Sequence, residues 1–517
     1  RQEYVDHNIT VPSRSRFTYA PGHELNGGDY DYAIIEPAAT HLSNWRSMYS
    51  HPIVVTSGYR NPEHNQKLRG SSWRSQHQYG RAIDAAVHDN KPPLLYLIAA
   101  LSNNSLFVFR LIALFWKLVS LTLIYQLIKR LSKNKVGPLI GGIVFTIGYL
   151  IFEGKVANGE IFMMMPAIAA VFLLFSRPKE KKFSFGLIIG LLFALGFLFK
   201  VPVFFDFLGV LFAIYFLPLV SIKTKELIKF IREPRFYGVI LGFTLPISAT
   251  IIYYSFKGAF TPYVRSALLQ NIGYLSSWQG SSSGLIIRGI ILIILTGIIF
   301  LLRRRFPYPI LFSAAWFIFA LFGALLSARP YPHYLIETVP SLALLFGLTF
   351  KEKRKVVVIL PVTSFFLLVL AHQYFHFWWY SIFPNYQKLI AYSLGQISQE
   401  KYLSYWGERT VKNYRLARFL RETARPEDRV FVWGDAACVY AISKRLPPGR
   451  YTVNYHIFDF GGFKETLEAI KKVKPPIIVK MANEARIWPE LEILLREQYR
   501  PLFRKDLVDQ VYLRIGQ

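Results

Sequence analysis

Nearly every ionisable side chain within the apolar stretches of this chain falls at one and the same set of stretch ends. The set comprises Lys91, Arg110, Glu160, Lys200, Asp206, Arg288, Arg329, His333 and Glu337, with Lys117 as the main exception. Ionisable groups in a bilayer are expensive and usually functional. Cations at headgroup depth suit a lipid-borne phosphate. Carboxylates among them suit a general base, or an acceptor that orients a hydroxyl nucleophile. The competing reading is that long basic side chains snorkel to the interface and pair structurally. Each residue alone is open to that explanation; their concentration at one face favours a site.

The elements that must position these residues are ten apolar runs between residues 106 and 373. Each has about the length a helix needs to cross a hydrocarbon core of roughly 30 Å. Alternate loops are basic: Lys129–Lys135, Arg177–Lys182, Lys223–Arg235, Arg303–Arg305 and Lys351–Lys355. The intervening loops carry few positive charges. The positive-inside rule puts the basic loops in the cytoplasm, and the charged set and both chain ends outside. The chain is therefore expected to cross a membrane many times.

Composition agrees with this class. Net charge is +29, with 52% hydrophobic and 16% aromatic residues. Much of the positive excess sits in the cytoplasmic loops, where topology accounts for it, so it does not point to nucleic acid. The single cysteine, Cys438, excludes an internal disulfide framework and any multi-cysteine zinc site. The chain opens at Arg1 without a signal peptide and reads as a fragment. Residues 374–517 return to a soluble composition. There "DRVFVWG" (428–434), "PPIIVK" (475–480) and "VYLRI" (511–515) read as strands, with amphipathic helices over 462–473 and 488–498.

"DNKPPLLYLIAAL" (89–101) with "FRL" (109–111) resembles the membrane-entry motif of GT-C glycosyltransferases. That group includes protein O-mannosyltransferases, aminoarabinose transferases and bacterial relatives. "ANGEIFMMMPAIAAVFLL" (157–174), "FLFKVPVFF" (197–205), "RPYPHYLIETVPSLALL" (329–345) and "DRVFVWGDAACVYAISKRLPPGRY" (428–451) resemble later segments of the same family. The resemblance implies a polyprenyl-phosphate-linked sugar as donor, acting at the outer membrane face, with a lipid, glycan or protein acceptor. It implies that Lys91 meets the lipid phosphate, that Glu160 lies near the reacting sugar, and that His333 lies near the headgroup. Asp89 is expected in the same pocket as a second acidic group. Arg110, Lys200, Arg288 and Arg329 complete the expected donor-binding set. A divalent cation is compatible with the resemblance but not required by it. In the family a first span and a catalytic external loop precede the "KPP" motif. Residues 1–88 stand in their place, which leaves the activity of this polypeptide in question.

"VTSGYRNPEHN" (55–65) and "SSWRSQHQYGRAIDAAV" (71–87) resemble a different family, the D-alanyl-D-alanine carboxypeptidase-type zinc metallopeptidases of Hedgehog-like fold. The resemblance makes His77 and Asp84 zinc ligands and gives Arg60 and Ser75 substrate-side roles. A catalytic zinc needs a third protein ligand and an open position for water. No matching third ligand follows before the membrane motif begins, because His88 is too close. Zinc is therefore expected only if that site is completed elsewhere. Two interrupted motifs that meet in "RAIDAAVHDNKPP" suggest a chimaeric chain.

These readings give a mainly α protein: a zinc-peptidase-like α+β fragment (1–88), a GT-C-like membrane domain of about ten spans (89–373) and an external α/β domain (374–517). Glycosyl transfer is the leading function. A membrane-anchored zinc D,D-carboxypeptidase or cell-wall peptidase is the alternative. A non-catalytic transporter of lipid-linked sugar is the second alternative, but the spans lack the paired Gly/Pro interruptions expected of a midplane transport site.

Overall fold

A computed structural model describes residues 92–102, 106–219, 231–269, 283–350, 355–379, 381–449, 451–459, 461–482, 484, 486–504 and 506–516. The described chain is mostly helical and divides into two compact units, Arg1–Tyr380 and Ser381–Gln517. The division falls slightly beyond residue 373 because Phe375 and Phe377 still pack into the core of the first unit.

The first unit starts with a short helix, α1 (Leu94–Leu101). Ten apolar helices follow, one for each apolar run: α2 (Leu106–Ser132), α3 (Val136–Ile151), α4 (Gly159–Ser176), α5 (Phe183–Phe199), α6 (Val203–Tyr215), α7 (Pro234–Phe256), α8 (Ser283–Leu301), α9 (Tyr308–Ala324), α10 (Val339–Thr349) and α11 (Ile359–Tyr374). Five of these helices are long and apolar enough to cross a membrane, and four more are shorter apolar helices. The ninth run departs from a simple span. It opens as a 3-10 helix, Pro332–Thr338, before α10 begins. Pro332 and Pro340 both fall where a missing backbone N–H is tolerated, at the first positions of the two segments.

In hydrocarbon, helices gain little by hiding apolar surface from one another, so close packing of small residues becomes decisive. The α5–α7 pair shows this. A Cβ on Gly190 would sit 2.2 Å from the Val239 carbonyl, and one on Gly242 would sit 2.2 Å from the Leu187 carbonyl. Gly186 meets Arg235, and Gly190 meets Val239, so the two helices run parallel. By the same reasoning α2 and α4 are parallel, with Trp116 bonded to Phe162 and Arg130 to Ser176. Helices α3 and α10 are antiparallel, with Gly137 against Gly347 and Gly148 against Val339. Each relative direction is the one that alternating spans require.

The loops segregate accordingly. At one end Lys181 pairs with Glu233, Arg235 bonds the Glu180 carbonyl, and Asn134 bonds the Phe350 carbonyl. These belong to the basic loops. At the other ends of the same helices lie residues 153–160, 200–206 and 325–338. Helix α8 is almost wholly exposed, as a lipid-facing element would be.

The second unit carries a four-stranded sheet of order β1-β2-β4-β3, formed by β1 (Val430–Trp433), β2 (Ile477–Lys480), β3 (Tyr499–Leu502) and β4 (Gln510–Arg514). β1 and β2 are parallel; the other pairings are antiparallel. Alternate residues of a strand face opposite sides. Val430, Val432, Ile477 and Val479 therefore enter one core, while Phe431, Trp433 and Ile478 enter another. The expected strands and the helices over 462–473 and 488–498 are present as β1, β2, β4, Phe463–Val473 and Pro489–Gln498. β3 was not anticipated: it is four residues long, contains Pro501, and follows its helix without a linker.

Candidate functional site

The site is built where three chain segments meet at the end of the bundle away from the basic loops. The first is the turn from α3 into α4. Helix α3 stops at Phe152, and Glu153 adopts a left-handed conformation (φ 60°) that is uncommon for a residue with a side chain. Lys117 of α2 donates from Nζ to the Gly154 carbonyl at 2.9 Å and secures this turn. Lys117 is thus no exception to the distribution of charge: its side chain reaches the same end as the others. Glu160 follows in the first turn of α4, where free backbone N–H groups favour a carboxylate. It is 2% exposed.

The second segment is the α5–α6 connection. Lys200 caps α5 with extended backbone, and a Cβ on Gly159 would lie 3.4 Å from its Cδ. Its Nζ donates to Glu160 Oε1 and lies 4.4 Å from the centroid of the Tyr334 ring. One turn further on, Asp206 is wholly buried and accepts a 2.6 Å hydrogen bond from Trp316 Nε1.

The third segment is the 3-10 helix Pro332–Thr338. It supplies His333, Tyr334 and Glu337. His333 donates from Nδ1 to Glu153 Oε2 at 2.8 Å, and its Nε2 faces Glu160 Oε1 at 3.9 Å. Tyr331 stacks on the imidazole with ring centroids 5.6 Å apart. Glu337 is buried, and its Oε1 has no hydrogen-bond partner among the described residues.

Glu160, Lys200 and His333 therefore come together from three segments. Arg110 is exposed on α2. Arg288 donates to the Leu325 and Gly284 carbonyls and lies over the Phe375 ring. Arg329 enters the His333 segment with its backbone N–H on Ser327 Oγ, 3.4 Å away. Asp89, Lys91, Arg60, Ser75, His77 and Asp84 lie outside the described residues. Among the described residues no cluster of three His, Cys, Asp or Glu could hold a metal ion. Sequence reasoning missed Glu153. It lies in a loop between two apolar runs, two residues before Lys155, and its partner lies 180 residues away.

Chemically the arrangement offers one shielded carboxylate held between two cationic or proton-bearing side chains. Lys200 is 16% and His333 22% exposed, while Glu160 lies beneath them. An anion arriving from the bundle end meets the lysine and histidine first. A hydroxyl brought to the same place finds a carboxylate acceptor.

Two protein families match parts of the chain. Peptidase M15 matches residues 20–105, and dolichyl-phosphate-mannose-protein mannosyltransferase matches residues 90–254. No curated protein matches the chain. Among solved structures, ArnT from Cupriavidus metallidurans bound to undecaprenyl phosphate is similar, with a TM-score of 0.52 at 11% identity. The similarity covers 83% of this chain and 88% of that one. The chain thus carries an ArnT-like GT-C membrane fold whose opening part matches the mannosyltransferase family, preceded by a peptidase M15-like region.

Proposed function

We propose that the chain is an integral membrane glycosyltransferase that takes a sugar from a polyprenyl-phosphate-linked donor at the outer face of a prokaryotic plasma membrane. The observation that carries this reading is the convergence of Glu160, Lys200 and His333 from three segments at the bundle end away from the basic loops. In this reading Lys200 and His333 engage the donor phosphate, with Lys91 as the expected further cation. Glycosyl transfer leaves negative charge on the departing phosphate, and fixed cations stabilise it as it develops. Glu160 orients or deprotonates the acceptor hydroxyl. The undecaprenyl phosphate bound by the similar ArnT structure supports a polyprenyl-phosphate donor. The acceptor is a lipid, glycan or protein.

The test is consumption of a polyprenyl-phosphate sugar by the purified chain or an intact homologue in lipid. Glu160→Gln and Lys91→Ala lower turnover by about 100-fold or more, in the range that acid–base groups contribute. Turnover that survives both substitutions unchanged sinks the assignment.

The match of residues 20–105 to peptidase M15 supports a second reading, a membrane-anchored zinc peptidase using His77 and Asp84. Zinc bound stoichiometrically and lost on His77→Ala favours it; metal-free protein under zinc-replete conditions excludes it.

A further inference from the structure

An aromatic stretch follows the last apolar helix. Tyr374 ends α11, and Trp378 and Trp379 beyond it are exposed. The Trp378 backbone N–H donates to the Pro330 carbonyl at 3.0 Å, which ties this stretch to the chain just ahead of the His333 helix. The first helix of the second unit comes next, α12 (Ile382–Ser393). Its burial is inverted. Asn385 is its buried residue, while Phe383 is 85% exposed and Tyr386, Leu389 and Ile390 are exposed with it. Leu394, at the C-cap, is 66% exposed. At 3.6 residues per turn these five positions share an arc of about 140°. Lys388 and Tyr392 occupy the opposite side and are half-buried. Tyr392 stacks there on Tyr402 of the next helix, Gln399–Ser404, with ring centroids 4.9 Å apart.

Contiguous exposed apolar surface marks a contact with a membrane or with another protein. Three observations select lipid. The first is reach. Ile382 lies four residues after Trp378, and four residues of extended chain cover at most about 14 Å. Helix α12 therefore begins near the bundle end away from the basic loops, to which Trp378 is tied. The second is the pattern of the helix itself. Its 12 residues are too few for a span, which takes about 20. An apolar face backed by a polar one suits a helix lying in the plane of the interface. The third is the run of exposed side chains leading to it. Large apolar groups face outward from Leu370 and Tyr374 of α11 through Trp378 and Trp379 to Phe383. Trp and Tyr are the side chains enriched at headgroup level. Lys388 is the one charged residue of α12, so the helix bears no acidic group to repel an anionic headgroup.

We propose that α12 is an interfacial helix. It lies along the membrane surface at the bundle end away from the basic loops, with Phe383, Tyr386, Leu389, Ile390 and Leu394 in the lipid. The bilayer is the partner that covers this face, and it holds the start of the second unit at headgroup depth.

Nitroxide labels on the full chain in lipid nanodiscs test this placement without reference to activity. Cys438 is exposed, and Cys438→Ser leaves each variant with a single introduced thiol. Phe383→Cys and Ile390→Cys put the label on the apolar face, and Lys388→Cys puts it on the opposite side. Glu408→Cys, at a side chain 88% exposed, is the aqueous control. Oxygen concentrates in lipid, whereas a nickel chelate stays in water. Oxygen is expected to relax the labels at Phe383 and Ile390 more than the chelate does, with the order reversed at Lys388 and Glu408. Chelate access at Phe383 and Ile390 equal to that at Glu408 overturns the proposal. Shielding of both positions from both relaxants also overturns it, because protein then covers the face. Spin–spin broadening that vanishes on dilution with unlabelled chain overturns it in favour of a second copy.

Discussion

His333 reaches two carboxylates at once, and they ask different things of it. Its Nδ1 donates to Glu153, which fixes the tautomer and turns Nε2 towards Glu160. The left-handed backbone of Glu153 is a local cost that Lys117 and His333 offset from two sides. The pairing carries a prediction. A hydrogen bond with a charged partner contributes about 1.5–3 kcal/mol, so Glu153→Ala lowers donor turnover about 10- to 100-fold. Glu153→Gln keeps an acceptor for Nδ1 and loses less. Steady-state assays on the two variants decide it; identical, undiminished turnover means that His333 does not depend on this contact. At this scale the sequence was informative about chemistry and poor on partners. Glu160, Lys200 and His333 could be nominated because an ionisable group in an apolar run is conspicuous. Asp206 and Glu337 were conspicuous for the same reason, but that α9 meets both, Asp206 through Trp316 and Glu337 at Gly323, depends on how the elements pack. Glu153 lies between spans, where a charge attracts no notice.

At the scale of elements, the apolar runs were legible because length and hydropathy alone decide whether a segment suits a bilayer. What could not be read was how closely two runs approach. Gly186, Gly190, Gly238 and Gly242 are ordinary glycines in sequence, and only the packed pair shows that α5 and α7 meet backbone to backbone through them. Their contrast with Gly289 and Gly297 on α8, which have nothing within 4 Å of an added Cβ, makes an internal control. Gly190→Val drives its side chain into the Val239 carbonyl and the Phe243 N–H and must push α7 away from α5, and overpacking of this kind costs about 1–3 kcal/mol. Thermal unfolding in detergent should register that loss for Gly190→Val and no loss for Gly297→Val. Equal melting curves would mean that the α5–α7 contact does not hold the bundle together. Helix α5 ends at Lys200, so the same substitution should also disturb the site and lower turnover.

At the scale of the molecule, the alternation of loop charge was the strongest statement in the sequence, and the parallel and antiparallel helix pairs agree with it. The N-terminal region poses the remaining question. The peptidase-like match runs to residue 105 and the transferase-like match begins at residue 90, so no stretch between them belongs to neither. Domains of one chain are ordinarily joined by an exposed polar linker with few contacts. Here Asp84, which the peptidase resemblance makes a zinc ligand, is followed seven residues later by Lys91 of the membrane-entry motif. That spacing leaves no room for a third zinc ligand on one side, or for a preceding membrane span on the other. Our prediction is that the two coding regions are not contiguous in the source genome. A single long DNA read across codons 80–95 tests it directly. An interrupted frame assigns the first 88 residues to another protein and directs the search for the transferase's first span and catalytic loop to the sequence upstream of codon 89. A continuous frame overturns the prediction, and then zinc binding at His77 and sugar transfer at Glu160 must be measured on one polypeptide.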